Sequence, residues 1–259
     1  MFFFTSSFYF AHSQSLDIGV RGALGYTDLI NSNISSGAEE NSRFVLSYNF
    51  GFHSAFNFKN GSGLELDILY GTLKQGYSGS FSEAGNLPGV GINYQAGESY
   101  TGETVLTIIE IPFLYRYEGQ SGLYFEAGIG YDMILSATYS ATYSSPSFSV
   151  SYNTKSVYPA GNFPVIGGVG WDIDISGTND FYLNLGIRFA YGVLDLGGVD
   201  GHGQELLGPR SSLIYYNNYG APYYSSYHET HSIEASFNVG LFYSISESVM
   251  HTGGRPDRG

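Results

Sequence analysis

The chain has 259 residues, of which only 13% are charged, and 10 Lys and Arg stand against 23 Asp and Glu for a formal net charge of −13. An average soluble domain carries about 25% charged residues, whereas Gly (36), Tyr (24) and Phe (19) are abundant here and cysteine is absent. These figures exclude disulfides, thiolate metal sites and a basic surface for nucleic acid; mean hydropathy is close to zero, and no run holds the roughly 18–20 apolar residues of a membrane-crossing helix.

Residues 1–13 are Phe-rich and end in Ala11-His12-Ser13, with small side chains where a leader peptidase expects them. They read as a signal peptide whose basic start is truncated, with maturation near Gln14. From there the apolar pattern has period two rather than 3.6, which predicts strands.

The first run sets Leu16, Ile18, Val20, Leu24 and Tyr26 against Asp17, Gly19, Arg21, Ala23 and Gly25. The second sets Phe44, Leu46, Tyr48, Phe50, Phe52 and Phe56 against Ser47, Asn49, Gly51, His53 and Asn57. The third places Leu64, Leu66, Ile68 and Tyr70 opposite Glu65, Asp67 and Leu69; the fourth places Ile109, Ile111, Phe113, Tyr115 and Tyr117 opposite Glu110, Leu114 and Arg116. Leu123, Phe125, Ile129, Tyr131 and Met133 oppose Glu126, Gly128, Gly130 and Asp132 in the fifth, and Val165, Val169, Trp171 and Ile173 oppose Gly168, Gly170, Asp172 and Asp174 in the sixth. The seventh (Phe181, Leu183, Leu185, Ile187, Phe189, Tyr191 against Asn184, Gly186, Arg188) and the eighth (Ile233, Phe237, Val239, Leu241, Tyr243 against Glu234, Ser236, Asn238, Gly240) make the count even, as closed bacterial barrels require.

Links after the second, fourth and sixth runs are tight, as in Lys59-Asn-Gly-Ser-Gly63 and Glu118-Gly-Gln-Ser-Gly122. Residues 28–42, 77–102, 136–162 and 197–229 are expected to be long loops. The charge-free stretch from Met133 to Thr154, rich in Ser, Thr and Tyr and holding Pro146, likewise reads as a loop. Alternating short and long connections predict an all-β, eight-stranded antiparallel up-and-down transmembrane β-barrel over residues 14–245, with four long outer loops, periplasmic termini and a tail at 246–259.

Volume decides which face points outward. Eight strands enclose a space only just wide enough for side chains, and the bulky groups of the second run alone overfill it. The apolar face therefore meets lipid. Inside, a polar network is expected from Asp17, Arg21, Glu65, Asp67, Glu110, Arg116, Glu126, Asp132, Asp172, Asp174, Arg188 and Glu234. Leu69, Leu73, Leu106, Ile108, Leu114 and Ile134 share that phase, which predicts a plugged lumen rather than an open pore.

The segment Thr107-Ile-Ile-Glu-Ile-Pro-Phe-Leu-Tyr-Arg-Tyr117, with Gly122-Leu-Tyr-Phe-Glu-Ala-Gly-Ile-Gly-Tyr131, Leu64-Glu-Leu-Asp-Ile-Leu-Tyr70 and Ile18-Gly-Val-Arg-Gly-Ala-Leu-Gly-Tyr26, resembles strands of the PorT-like outer-membrane barrel family common in Bacteroidetes. The resemblance implies an integral outer-membrane location. It implies no particular activity.

Three features are candidates for chemistry. His228-Glu-Thr-His231 is a potential rim site, but in a strand its histidines point to opposite faces. His53 is expected to face the lumen alone, in an ordinary hydrogen-bonded role. Tyr215, Tyr216, Tyr219, Tyr223, Tyr224 and Tyr227 crowd the last outer loop, where tyrosines provide contact area at low entropic cost. The expectation is a monomeric, non-enzymatic barrel without cofactor or metal. Its role is structural or surface-binding through these tyrosines, with outer-membrane lipid as partner and, in the surface-binding case, an extracellular glycan or protein ligand; a narrow solute channel or a rim enzyme acting on lipid A is the alternative.

Overall fold

Val, Ile, Thr, Tyr and Phe suit a pleated surface buried on one side, and they fill eight long strands. The computed structural model describes residues 15–35, 40–58, 60–81, 84–87, 92–119, 121–144, 147–177, 180–201, 203, 206 and 228–246. The strands are β1 (Ser15–Ile30), β2 (Val45–Asn57), β3 (Ser62–Ser80), β4 (Ser99–Glu118), β5 (Leu123–Ser144), β6 (Pro164–Asp174), β7 (Phe181–Gly192) and β8 (His231–Ser246). Each pairs antiparallel with its neighbours in sequence. The ring closes where β1 pairs with β8, from Ser15↔Ser246 to Ile30↔His231.

The outer wall is apolar. Phe52 is 72% exposed, Leu24 and Phe189 59%, and Trp171 52%, while Arg21, Glu65, Asp67 and Arg188 on the opposite phase are buried. Among the described residues no helix is long and apolar enough to cross a membrane; the strands present the apolar surface.

Three tight turns and both ends of the ring lie at one end of the barrel. Gly122 has φ +76, and a Cβ there would run into the Asp172 carbonyl, so the turn is restricted to glycine. Neighbouring turns are tied together by Glu118 N–H donating to Gly61 O (2.8 Å) and Asp172 N–H to Gly122 O (2.9 Å).

At the other end the strands run further than their apolar patterning indicates. β3, β4 and β5 continue through 19, 20 and 22 residues, and Ser147–Asn153 returns along β5 while Asn41–Arg43 pairs with β3. Residues 77–102 and 136–162, expected to be loops, are thus in large part strand. The physical reason is that Ser, Thr and Tyr replace Leu and Phe beyond the apolar belt, so alternation loses its hydrophobic contrast while Thr and Tyr keep their preference for strands.

A bulge sets the upper wall. Thr107 pairs with Ser136 but Ile108 with Ile134, leaving Leu135 as an extra residue on β5. Below it Glu126, Asp132 and Ile134 face inward; above it the phase flips, and Ala137, Tyr139, Ala141 and Tyr143 are buried instead.

Candidate functional site

The lumen is built in layers. Nearest the turns, Arg188 on β7 donates from Nε to Glu126 Oε1 (2.7 Å), from Nη1 to Asp67 Oδ2 (3.2 Å) and from Nη2 to Glu65 Oε1 (2.8 Å). Arg21 on β1 reaches the same two β3 carboxylates, donating to Asp67 at 2.8 Å and to Glu65. Arg116 on β4 pairs with Asp172 and with Glu118 (3.3 Å) and lies over the Tyr124 ring at 3.8 Å. Asn184 donates to Asp172 Oδ1 at 2.6 Å. Buried charges persist only when paired and hydrogen-bonded, and the ion pairs of this network involve six of the eight strands, β1 and β3 to β7.

His53 is not alone, contrary to expectation. Its Nδ1 lies 2.6 Å from Asp67 Oδ1, and its ring stacks on Phe242 at 3.8 Å. Asp67 is its direct cross-strand partner, a relation that register supplies and a single strand's pattern does not. Donor atoms of His53, Glu65 and Asp67 lie within 4.8 Å of one another, the only such grouping among the described residues. Guanidinium groups of Arg21 and Arg188 already occupy both carboxylates, so the positive charge a metal would bring is supplied by protein.

Other expected members of the network are placed elsewhere. Asp17 accepts from Asn57 Nδ2 (2.5 Å) near the turn end. Asp174 is exposed and caps the following turn, accepting from the backbone N–H groups of Ser176 (2.9 Å) and Gly177 (3.0 Å); the lumen ends one residue pair earlier. Glu110, Asp132 and Glu234 form a separate level closer to the loops.

Above them an apolar layer of Leu29, Leu73, Leu106, Ile108, Ile134 and Ala137 packs around Leu196, which enters from the connection after β7. Over that lies a second layer containing Tyr77, Tyr100, Tyr139 and Tyr143. Three tyrosine hydroxyls clamp alternate carbonyls of the same connection: Tyr77 donates to Val199 O (2.9 Å), Tyr139 to Gly201 O (2.5 Å) and Tyr152 to Gly203 O (2.8 Å). Gly203, at φ +76, leaves no space for a Cβ beside the Tyr139 ring. Glu40 accepts from the Gly201 N–H. The barrel mouth is therefore corked by its own last connection.

Sequence reasoning did not identify Phe242, Tyr124 or the clamp. Phe242 follows Asn238 and Gly240 on the inward phase of β8, so alternation carries its signal. Inward Tyr139 carries none, because the Leu135 bulge reverses the phase. His228 is exposed, and His231 makes a 3.3 Å pair with Glu229 and stacks on Tyr191. The six tyrosines of residues 215–227, residues 1–13 and the tail beyond Ser246 lie outside the described residues.

Residues 10–197 match a family model described as outer membrane protein beta-barrel domain. No curated protein matches the chain by sequence. Among solved structures, the chain is similar to OprG from Pseudomonas aeruginosa (10% identity, 90% of this chain and 97% of that one, TM-score 0.39). It is also similar to Ail of Yersinia pestis (8%, 89% and 98%, 0.32), solved with a heparin analogue, and to the protease OmpT from Escherichia coli (10%, 91% and 98%, 0.33). Identities and TM-scores this low transfer no function.

Proposed function

The chain belongs to the outer membrane protein beta-barrel domain family, and we infer that within it this barrel is a closed, non-enzymatic platform that displays its loop end at the cell surface. The observation that carries the reading is the cork: Val199, Gly201 and Gly203 are held by three tyrosine hydroxyls over an apolar layer and an ion-paired lumen. A rigid scaffold that spends its interior on its own stability leaves recognition to its connections. Turns and strand ends then face the periplasm, and the last connection, whose sequence carries the six tyrosines of 215–227, belongs to the end offered to a glycan or protein. The Glu110-Ile-Pro112 stretch and its flanking strands support a PorT-like, Bacteroidetes-type member of the family.

The reading is tested with glycan and protein arrays probed by the pure barrel, intact and lacking residues 208–227. Because no described strand is removed, both forms are expected to fold. A ligand that binds the intact barrel and loses at least tenfold in affinity on the deletion supports a surface-binding role, provided it also binds intact cells. Equal binding by both forms refutes the assignment to this loop, and hydrolysis of an arrayed compound refutes the non-enzymatic reading.

A further inference from the structure

At the loop end one long sheet edge has a neighbour on a single side. Ser147–Asn153 pairs with β5 in unbroken register, from Thr138↔Asn153 to Ser144↔Ser147, and among the described residues no other strand pairs with it. An open edge is a template for another chain, and proteins blunt such edges with short length, charge, proline or a bulge. The opposite edge of this raised wall follows that rule: Asn41–Arg43 is three residues long and carries a guanidinium. Ser147–Asn153 does not. It has seven residues and no bulge, proline or charge, in a chain whose formal net charge is −13.

The edge also reads nearly alike in both directions. Ser147-Phe-Ser-Val-Ser-Tyr-Asn153 is centred on Val150, so antiparallel pairing with a second copy about that residue sets Phe148 opposite Tyr152, Ser149 opposite Ser151 and Val150 opposite itself. Aromatic pairs and hydroxyl pairs directly across a ladder stabilise it, and the like-charge pairs that oppose it are absent. Phe148, Val150 and Tyr152 lie on the side packed against the tyrosine layer, while Ser147, Ser149, Ser151 and Asn153 are exposed on the other. Thr142 on β5 and Ser149 already make a hydroxyl contact at 3.0 Å, and a facing copy continues that row.

We propose that Ser147–Asn153 is a self-recognition edge, joining two copies of this chain through an antiparallel, two-fold ladder centred on Val150. Adjacent antiparallel strands of one sheet are related by a two-fold axis perpendicular to the sheet. Here the sheet continues the barrel wall along β5, so that axis is perpendicular to the barrel axis and the two barrels point in opposite directions. Two barrels inserted alike in one outer membrane cannot pair this way. Two barrels in facing outer membranes can, and the loop ends then bridge neighbouring cells while each barrel stays single in its own bilayer. Such pairing is isologous and closes after two copies. The bridging rests on display of the loop end at the cell surface; the ladder itself does not.

The whole chain, refolded in detergent, is tested by cross-linking and by sedimentation. The protein has no cysteine, so Ser149→Cys and Ser151→Cys each place one thiol on the exposed face. On oxidation, an equal mixture of the two variants is expected to give about fivefold more disulfide dimer than either alone, because directly opposed residues fall within disulfide reach. Sedimentation is expected to show a dimer of the parent chain and a monomer of Ser149→Lys/Ser151→Lys, which sets lysine opposite lysine. Ser149→Lys/Ser151→Glu, which sets lysine opposite glutamate, is expected to restore the dimer and shows that substitution here leaves the barrel folded. In lipid discs the dimer is expected to join two discs with one barrel in each. A mixture giving no excess of disulfide dimer overturns the proposal, as do charge variants that sediment alike, and dimers found solely within one disc overturn the facing arrangement. A foreign ligand captured on the arrays by a chain that stays monomeric overturns self-recognition and leaves the display reading standing.

Discussion

Arg188 shows what the lumen asks of a single side chain: its three nitrogens reach carboxylates on β3 and β5 from β7. Arg188→Met leaves Glu65, Asp67 and Glu126 with Arg21 and Arg116 as their remaining cations. The expected loss in unfolding free energy is about 3–5 kcal/mol, the usual cost of removing one partner from a buried ion pair. Urea titration of the refolded barrel measures it, and a loss below about 1 kcal/mol contradicts the network's role. That Arg21, Arg116 and Arg188 point inward is legible from alternation alone. Which acid each one meets is not, because all of the pairs but Arg116–Glu118 join residues 44 to 123 positions apart, and local pattern carries no information about reach across a lumen. The same limit hides Asp67 from a reading of His53.

Eight strands were legible as elements because the lipid-facing side is nearly continuous in Phe, Leu, Ile and Val, and every strand core identified by alternation is a strand of the ring. Their upper ends were not, since outside the belt both faces of β3, β4 and β5 meet polar surroundings or other tyrosines. The Leu135 bulge is invisible for a related reason: Met133-Ile-Leu135 is apolar without interruption, so the pattern shows no step where the phase reverses. The facing of the belt is tested by Phe50→Arg and Leu185→Arg. Each places a guanidinium on the outer wall and is expected to destabilise the barrel by about 2–4 kcal/mol if it lies near the bilayer midplane. Refolding into lipid vesicles across a urea series gives the value, and a cost under about 0.5 kcal/mol for both contradicts outward facing.

At the scale of the molecule, alternating tight and long connections announce an up-and-down barrel, and the pairing of β1 with β8 completes it. What connection lengths do not announce is that the last connection folds back inside, because Leu196, Val199 and Leu206 are too few and too widely spaced to register as an apolar element. That fold-back closes the lumen. Three successive obstructions cross the lumen: ion pairs among Arg21, Arg188 and their acids, the apolar layer around Leu196, and the tyrosine-clamped cork. The most direct test is planar-bilayer recording of the pure refolded protein across a range of voltages. No steady conductance above that of the bare membrane is expected; a stable, ion-conducting open level in the unmodified barrel contradicts closure.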